Sequence, residues 1–327
     1  MNRYVSLFVQ YVLFLGTGIV LIWWSVRNLT DAEVAHLFSS IRGADLLPVI
    51  PVLAMLLLSH YSRALRWRML MEPLGILPSR ANSFFAVMLG YLFNLLVPRM
   101  GEVMKCTVLA RYERTPVDRL IGTMVAERAM DLVCLLTVVG GTFVFQPDLA
   151  GRLLGGMVGS SGQGRSYGLA LIAILLVIGI AAWVLMRRYG HLRWIGRLRN
   201  AGKGVWLGLT SIRQIRNKPA FLFHTLFIWS MYLLSIRVGF HAMSSVSHLG
   251  MLPSLTLLSF GSLAMIVTQG GIGAYQIAVQ ESLIAYGIPA VNGLAFGWLL
   301  WGFQTLLVLA VGVVCLILLP LVNRHRK

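Results

Sequence analysis

The sequence predicts an all-α polytopic membrane protein with about seven or eight transmembrane helices plus two re-entrant hairpins, arranged as inverted repeats. Three observations predict it. Hydrophobic residues make up 57% of the 327 positions and charged residues only 12%, about half the charged share of a soluble domain. Apolar runs near or above bilayer length occupy residues 11–23, 169–186, 221–236 and 294–319. Two further segments, about 80–119 and about 253–290, have both ends assigned to one side of the membrane by the placement of Lys and Arg. Each of those two must therefore enter and turn back.

The elements follow in chain order. The run at 11–23 lacks an A-x-A-like cleavage site and ends in Trp23 and Trp24, as an interfacial anchor does, so it is expected to be a retained first span. The charge-balanced stretch 27–45 falls outside. In it, Thr30 with Glu33 forms a capping-box pattern, and Val34, Leu37, Phe38 and Ile41 follow at helical spacing. An amphipathic helix on the outer surface is expected there. A second span at roughly 46–60 leads to Arg63, Arg66, Arg68 and Arg80, which mark the cytoplasmic side.

The first hairpin follows, and then the span that begins near "AERAMDLV". The loop 146–166 is poor in charge and is assigned to the outside. The run at 169–186 returns inward to the stretch 187–218, which holds nine Lys or Arg and no acid. Net charge is +17, yet this basic excess lies between two spans. The positive-inside rule and contact with anionic lipid account for it without nucleic acid. The span at 221–236 leads to the loop 241–252, which has no Lys, Arg, Asp or Glu and falls outside. The second hairpin, the last span at 294–319 and the basic cytoplasmic tail 323–327 complete a single integral-membrane domain, with halves 1–145 and 167–327. Cys106, Cys134 and Cys315 have no metal-ligand or disulfide spacing and are expected to be packing residues.

Charge inside such a chain points to function. Ionised groups at membrane depth are costly and face a cavity or a partner. In "VPRMGEVMKC", Pro98 and Gly101 are expected to break the helix, with Arg99, Glu102 and Lys105 within two turns of the break. Glu102 is in reach of Arg99 or Lys105 on one helix face, and such a group suits a lipid phosphate. Glu127, Arg128 and Asp131 share one surface of the next helix at spacings of three and four. Arg63 and Arg66 share another face, either as headgroup-level anchors or as a collector of anionic headgroups. In the second hairpin, "TQGGIGAYQ" holds Gln269 and Gln276 around the turn glycines Gly270, Gly271 and Gly273. Glu281 is the only acid after Asp148.

Four stretches in order, "RALRWRMLM", "NLLVPRMGEVMKCTVLARYERTP", "VAERAMDLV" and "GGIGAYQIAVQESLIAYGI", resemble the transmembrane domain of the lysylphosphatidylglycerol synthase/flippase family, including its stand-alone flippase-like members. The resemblance implies an inner-membrane protein that moves lipids between leaflets. It carries over Arg63, Arg66, Asn94, Pro98, Gly101, Glu102, Glu127, Arg128, Asp131, Gly270, Gly271 and Gly273. Gln269 stands where the family often has Pro, and Gln276 where it often has an acid, so a protonatable role at Gln276 is not expected. The soluble aminoacyl-transferase domain of full-length synthases is absent from the sequence, so lysyl transfer is not expected either.

The expectation is a lipid flippase, not an enzyme, that moves an anionic or isoprenoid-phosphate lipid across the cytoplasmic membrane. No nucleotide motif, metal site or cofactor is called for, and a homo-oligomer is compatible with such a chain. Two alternatives stand beside it. A polyprenyl-phosphate-sugar glycosyltransferase would use Asp31 or Glu33 with a divalent metal. A non-catalytic envelope scaffold would need none of the buried charges.

Overall fold

The computed structural model describes residues 16–27, 29–97, 100–147 and 212–324. Pro98, Arg99, the run at 169–186, most of the basic stretch 187–218 and residues 325–327 lie outside the described residues, as do the first residues of the run at 11–23. Among the described residues the chain is helical throughout, with ten α-helices and no strand. These are α1 (Gly16–Val26), α2 (Asp31–Arg42), α3 (Val49–Met71), α4 (Arg80–Leu96), α5 (Met100–Glu113), α6 (Val117–Phe145), α7 (Lys218–Gly239), α8 (Met251–Val267), α9 (Ala274–Ile284) and α10 (Ala290–Val322). The chain divides into two compact units. One comprises Met1–Met124 with Ile215–Lys327, and the other is Val125–Gln214.

Three of the described helices are long and apolar enough to cross a membrane: Val117–Phe145, Lys218–Ala242 and Ala290–Val322. Gly16–Val26 and Met251–Ile266 are shorter apolar helices. The helix α2 forms where the capping box predicts it. Thr30 Oγ1 accepts from the Glu33 amide at 3.3 Å, and Glu33 Oε2 accepts from the Thr30 amide at 2.8 Å.

In the first unit, α7 lies along α3, and the face they share runs from Val52 beside Gly239 to Arg63, Arg66 and Ser62 beside Tyr232, Thr225 and His224. The α3 helix differs from expectation. It does not stop near residue 60 but runs unbroken to Met71, carrying Arg63, Arg66 and Arg68 with it. Arg, Leu and Met are strong helix formers, so the loss of hydropathy there does not end the helix. In the same unit, Phe85, Met88, Leu89 and Leu92 of α4 pack with Cys315 and Leu319 of α10 in an apolar core.

Two pairs of short helices fold back on themselves. At 17 and 14 residues, α4 and α5 reach about 26 and 21 Å, and at 17 and 11 residues, α8 and α9 reach about 26 and 17 Å. Each helix is shorter than a hydrocarbon core of about 30 Å. The α4–α5 pair is closed at its far end by Glu113. Its Oε1 accepts from the Ser79 amide at 2.9 Å and from Asn82 Nδ2 at 2.6 Å. Asn82 also exchanges two amide hydrogen bonds, of 2.9 and 2.8 Å, with Asn323 at the end of α10.

Candidate functional site

The first break in the chain is set by local rules. Val97, the residue before a proline, is extended at φ −137° and ψ 127°, which ends α4. Gly101 does not break the helix as expected, because α5 already begins at Met100. Its role is close approach. A Cβ there would run into the Gly90 carbonyl oxygen and lie 2.5 Å from Asn94 Cγ. Asn94 is a tie across the break, its Oδ1 accepting from the Gly101 amide at 2.8 Å. Glu102 is half-buried in the first turn of α5, where the helix dipole favours a carboxylate.

The buried face of α5 is Gly101, Lys105, Cys106, Leu109 and Ala110. Lys105 is 4% exposed, and its Nζ lies 3.9 Å from the centre of the Trp67 ring on α3. A desolvated ammonium over an indole gains roughly 2 kcal/mol. Trp67 is itself fully buried and donates through Nε1 to Thr123 Oγ1 at 3.0 Å.

Along α3, Arg63 and Arg66 are buried, at 6% and 0% exposed, so they are not headgroup anchors on a surface. The Arg63 guanidinium is 3.5 Å from Tyr232 Oη, and that of Arg66 is 3.5 Å from Thr225 Oγ1 and 6.0 Å from the Phe221 ring. Beside them, Ser62 and His224 share a 2.8 Å hydrogen bond, and His60 packs against Tyr91 of α4 at 4.8 Å. His60, Tyr232, Thr225 and His224 went unread in the sequence. The signal for His60 was present, because His60, Arg63 and Trp67 repeat at helical spacing and mark one polar face.

The second break is the turn at residues 268–273. Thr268 ends α8 in an extended conformation, and Gly270, Gly271 and Gly273 have φ of 60°, 76° and 77°. Glycine reaches these angles without strain, whereas side chains there would also collide. A Cβ on Gly271 would strike Met265, and one on Gly273 would lie 2.6 Å from the Gly18 carbonyl of α1. Trp301 of α10 fixes the turn by donating Nε1 to the Gly270 carbonyl at 2.7 Å. Nothing in the sequence announces that bond, which joins residues 31 apart.

The two breaks meet. Leu95, in the last turn of α4, has its Cδ2 3.4 Å from where a Gly270 Cβ would stand. Gln276 lies in the first turn of α9 and is fully buried. Glu281, by contrast, is exposed on the same helix and walls no buried space there. Gln269 contributes backbone to the turn.

In the second unit, described at 125–147 and 212–214, Glu127 is fully buried. Arg128 and Asp131 lie 4.0 Å apart, with side chains 43% and 14% exposed. The three charges therefore do not turn inward together, because Arg128 looks out while Glu127 is enclosed.

Glu33 has both its contacts in the capping box, and hydrogen bonds from the Thr30 amide and then its hydroxyl hold that carboxyl below its ordinary value. Among the described residues no three His, Cys, Asp or Glu gather as a metal site.

A protein-family model described as the lysylphosphatidylglycerol synthase TM region matches residues 7–312. No curated protein matches the chain, and no solved structure matches it.

Proposed function

The chain belongs to the lysylphosphatidylglycerol synthase TM region family, multi-pass membrane proteins with a lipid-related function, and from that premise we propose that it moves an anionic or isoprenoid-phosphate lipid across the cytoplasmic membrane. The observation that supports this reading best is Lys105. A cation is enclosed on α5 against Trp67 and α4, within the first two turns after the break that meets the second helix pair. In a bilayer, a buried ionisable group marks a substrate path, and non-helical backbone is tolerated where protein or a watery cavity satisfies it.

On this reading the α4–α5 and α8–α9 pairs are re-entrant hairpins, and the breaks form the constriction a headgroup must pass. Lys105, supported by Arg63 and Arg66 on α3, attracts the phosphate, while the acyl or prenyl chains stay in lipid. The Trp67 ring holds the ammonium in place for an anion to approach. Glu102 at the start of α5 limits how long the anion stays. The basic stretch 187–218 and the tail 323–327 are cytoplasmic, and the protein acts as a transporter, not as an enzyme.

The test is a leaflet-resolved assay in proteoliposomes, with labelled anionic and zwitterionic lipids and the wild-type protein beside Lys105→Met. Methionine keeps the length and apolar stem of the side chain and removes its charge. The wild type is expected to move anionic lipid faster than empty vesicles do. Loss of one charge-assisted contact, roughly 1.5–3 kcal/mol, slows K105M about tenfold or more. If no headgroup moves faster than in empty vesicles, the transport reading is wrong. If K105M moves lipid at the wild-type rate, the buried cation is only a helix tie and takes no part in moving lipid.

A further inference from the structure

His60 of α3 is 3% exposed, and neither of its ring nitrogens has a hydrogen-bond partner. A histidine that only fills a core ties a nitrogen to some backbone or side-chain group. This one leaves both bare. Its surroundings are fixed from two sides. The Tyr91 ring of α4 packs on it, centroid to centroid at 4.8 Å, and Arg63 stands one turn further along α3. Arg63 is buried as well, close enough for its charge to act on the ring, and its guanidinium lies 3.5 Å from Tyr232 Oη on α7.

The charged and titratable groups around His60 decide what it can take. Arg63 and Arg66 share its helix, Tyr91 comes from α4, and Tyr232 and His224 come from α7. Lys105 of α5 lies over Trp67, two turns on. His224 is bonded to Ser62, and α10, which also touches α3, carries no charged side chain. None of α3, α4, α7 and α10 holds an Asp or Glu. The next acid along the chain is Glu72, past the end of α3.

Both nitrogens donate only when the ring carries a second proton. That proton adds a cation beside Arg63, and the charge to offset it must come from outside these helices, as it does when an anion arrives. Proton and anion then favour each other, by the same factor in both directions.

We propose that His60 is a proton site coupled to the anionic headgroup, the second proton entering the ring as headgroup oxygens reach its nitrogens and Arg63. This rests on the transport reading and adds its energy source. The proton leaves with the lipid on the far side, and the ring returns without it. One proton carried with one phosphodiester moves no net charge, so a pH gradient drives the lipid and the membrane potential does not.

Binding of phosphatidylglycerol to the purified full chain in detergent, followed across pH, tests the coupling. The phosphodiester keeps its single charge throughout, so any dependence on pH comes from the protein. The wild type is expected to bind about threefold or more tightly at about pH 5.5 than at about pH 8, since binding strengthens as the second proton becomes available. His60→Gln keeps a donor and an acceptor but takes up no proton, and it flattens the dependence. His224→Gln, at the other imidazole of the α3–α7 pair, keeps it. Should H60Q fail to fold, proton uptake by the wild type on binding, read with an indicator dye in weakly buffered solution, decides the matter: uptake supports the site and its absence overturns it. An affinity that does not change with pH, or a dependence that survives in H60Q, also overturns it. Lipid movement in vesicles is scored separately, with and without an acid-outside gradient and after subtraction of empty vesicles. His60-dependent coupling in a protein that moves no lipid overturns transport alone, and movement that the gradient does not accelerate overturns the coupling alone.

Discussion

At Gly101 a single missing methyl group sets how close α5 comes to α4. Gly101→Ala would push a Cβ into the Gly90 carbonyl and the Asn94 side chain, which are parts of the helix it packs against and cannot swing aside. Overpacking of this kind costs typically 1–3 kcal/mol, and here it also pulls apart the Asn94–Gly101 hydrogen bond. Gly122→Ala is the control, since a Cβ there meets nothing within 4 Å. Alanine in that open helical site gains about 0.5–1 kcal/mol over glycine. Thermal unfolding of the detergent-solubilised protein is expected to shift down for G101A and to hold or rise for G122A. Equal shifts would mean that the close approach does not bear on stability. The sequence shows a glycine after a proline and invites the inference of a helix breaker. Only the neighbouring helix reveals that Val97 ends the helix while Gly101 serves contact, because packing partners are not encoded at fixed spacing. Lys105 is similar: its charge is visible in the sequence, but the Trp67 ring under it lies 38 positions upstream.

Among the elements, α2 was the most legible, because its signal is local. Thr30 and Glu33 satisfy each other's backbone groups across three residues, and the apolar face follows at once. Its pH behaviour follows from the same bonds. The Thr30 amide, then its hydroxyl, lowers the Glu33 pKa from an ordinary 4.5. A carboxyl whose folded value lies below its unfolded one contributes stability above the unfolded value, and that contribution is lost as pH falls through the folded value. The Val34 amide, which donates to the Thr30 carbonyl at 2.9 Å, reports on this first turn. Its hydrogen-exchange protection, corrected for intrinsic rates, is expected to be constant above about pH 5 and to fall below 4.5. In Glu33→Gln the acid dependence should vanish, and a dependence that survives would place its origin elsewhere. The α3 helix was less legible. Its apolar start is a readable span, but three arginines interrupt the hydropathy; Tyr232 and Thr225 on α7 face Arg63 and Arg66 inside, and Arg68 donates to the Pro78 carbonyl.

For the whole molecule, apolar runs and basic loops were enough to predict an all-helical, multi-pass protein, and the α7 and α10 helices extend the predicted runs by a few residues at each end. Two re-entrant pairs were inferred from charge sidedness; in the structure α4 lies against α5 and α8 against α9. Their meeting at Leu95 and Gly270 lay beyond sequence reach, since it depends on how α10, through Trp301, holds the turn. Glu281 shows the converse, an acid conspicuous in the sequence for its rarity that sits on an exposed face.

The central claim is that lipid passes where the two breaks meet, and locking that meeting tests it most directly. With Cys106, Cys134 and Cys315 replaced by Ala, cysteines at Leu95 and Gly270 are joined by a short, reducible bifunctional thiol reagent, and lipid movement between leaflets is followed before joining, after it and after reduction. The account predicts that the joined protein loses most of the activity that the unjoined double-cysteine protein retains and that reduction restores it, while the reagent leaves each single-cysteine protein at its own untreated rate. Undiminished movement in the joined protein would contradict it, because headgroups would then be crossing by another route.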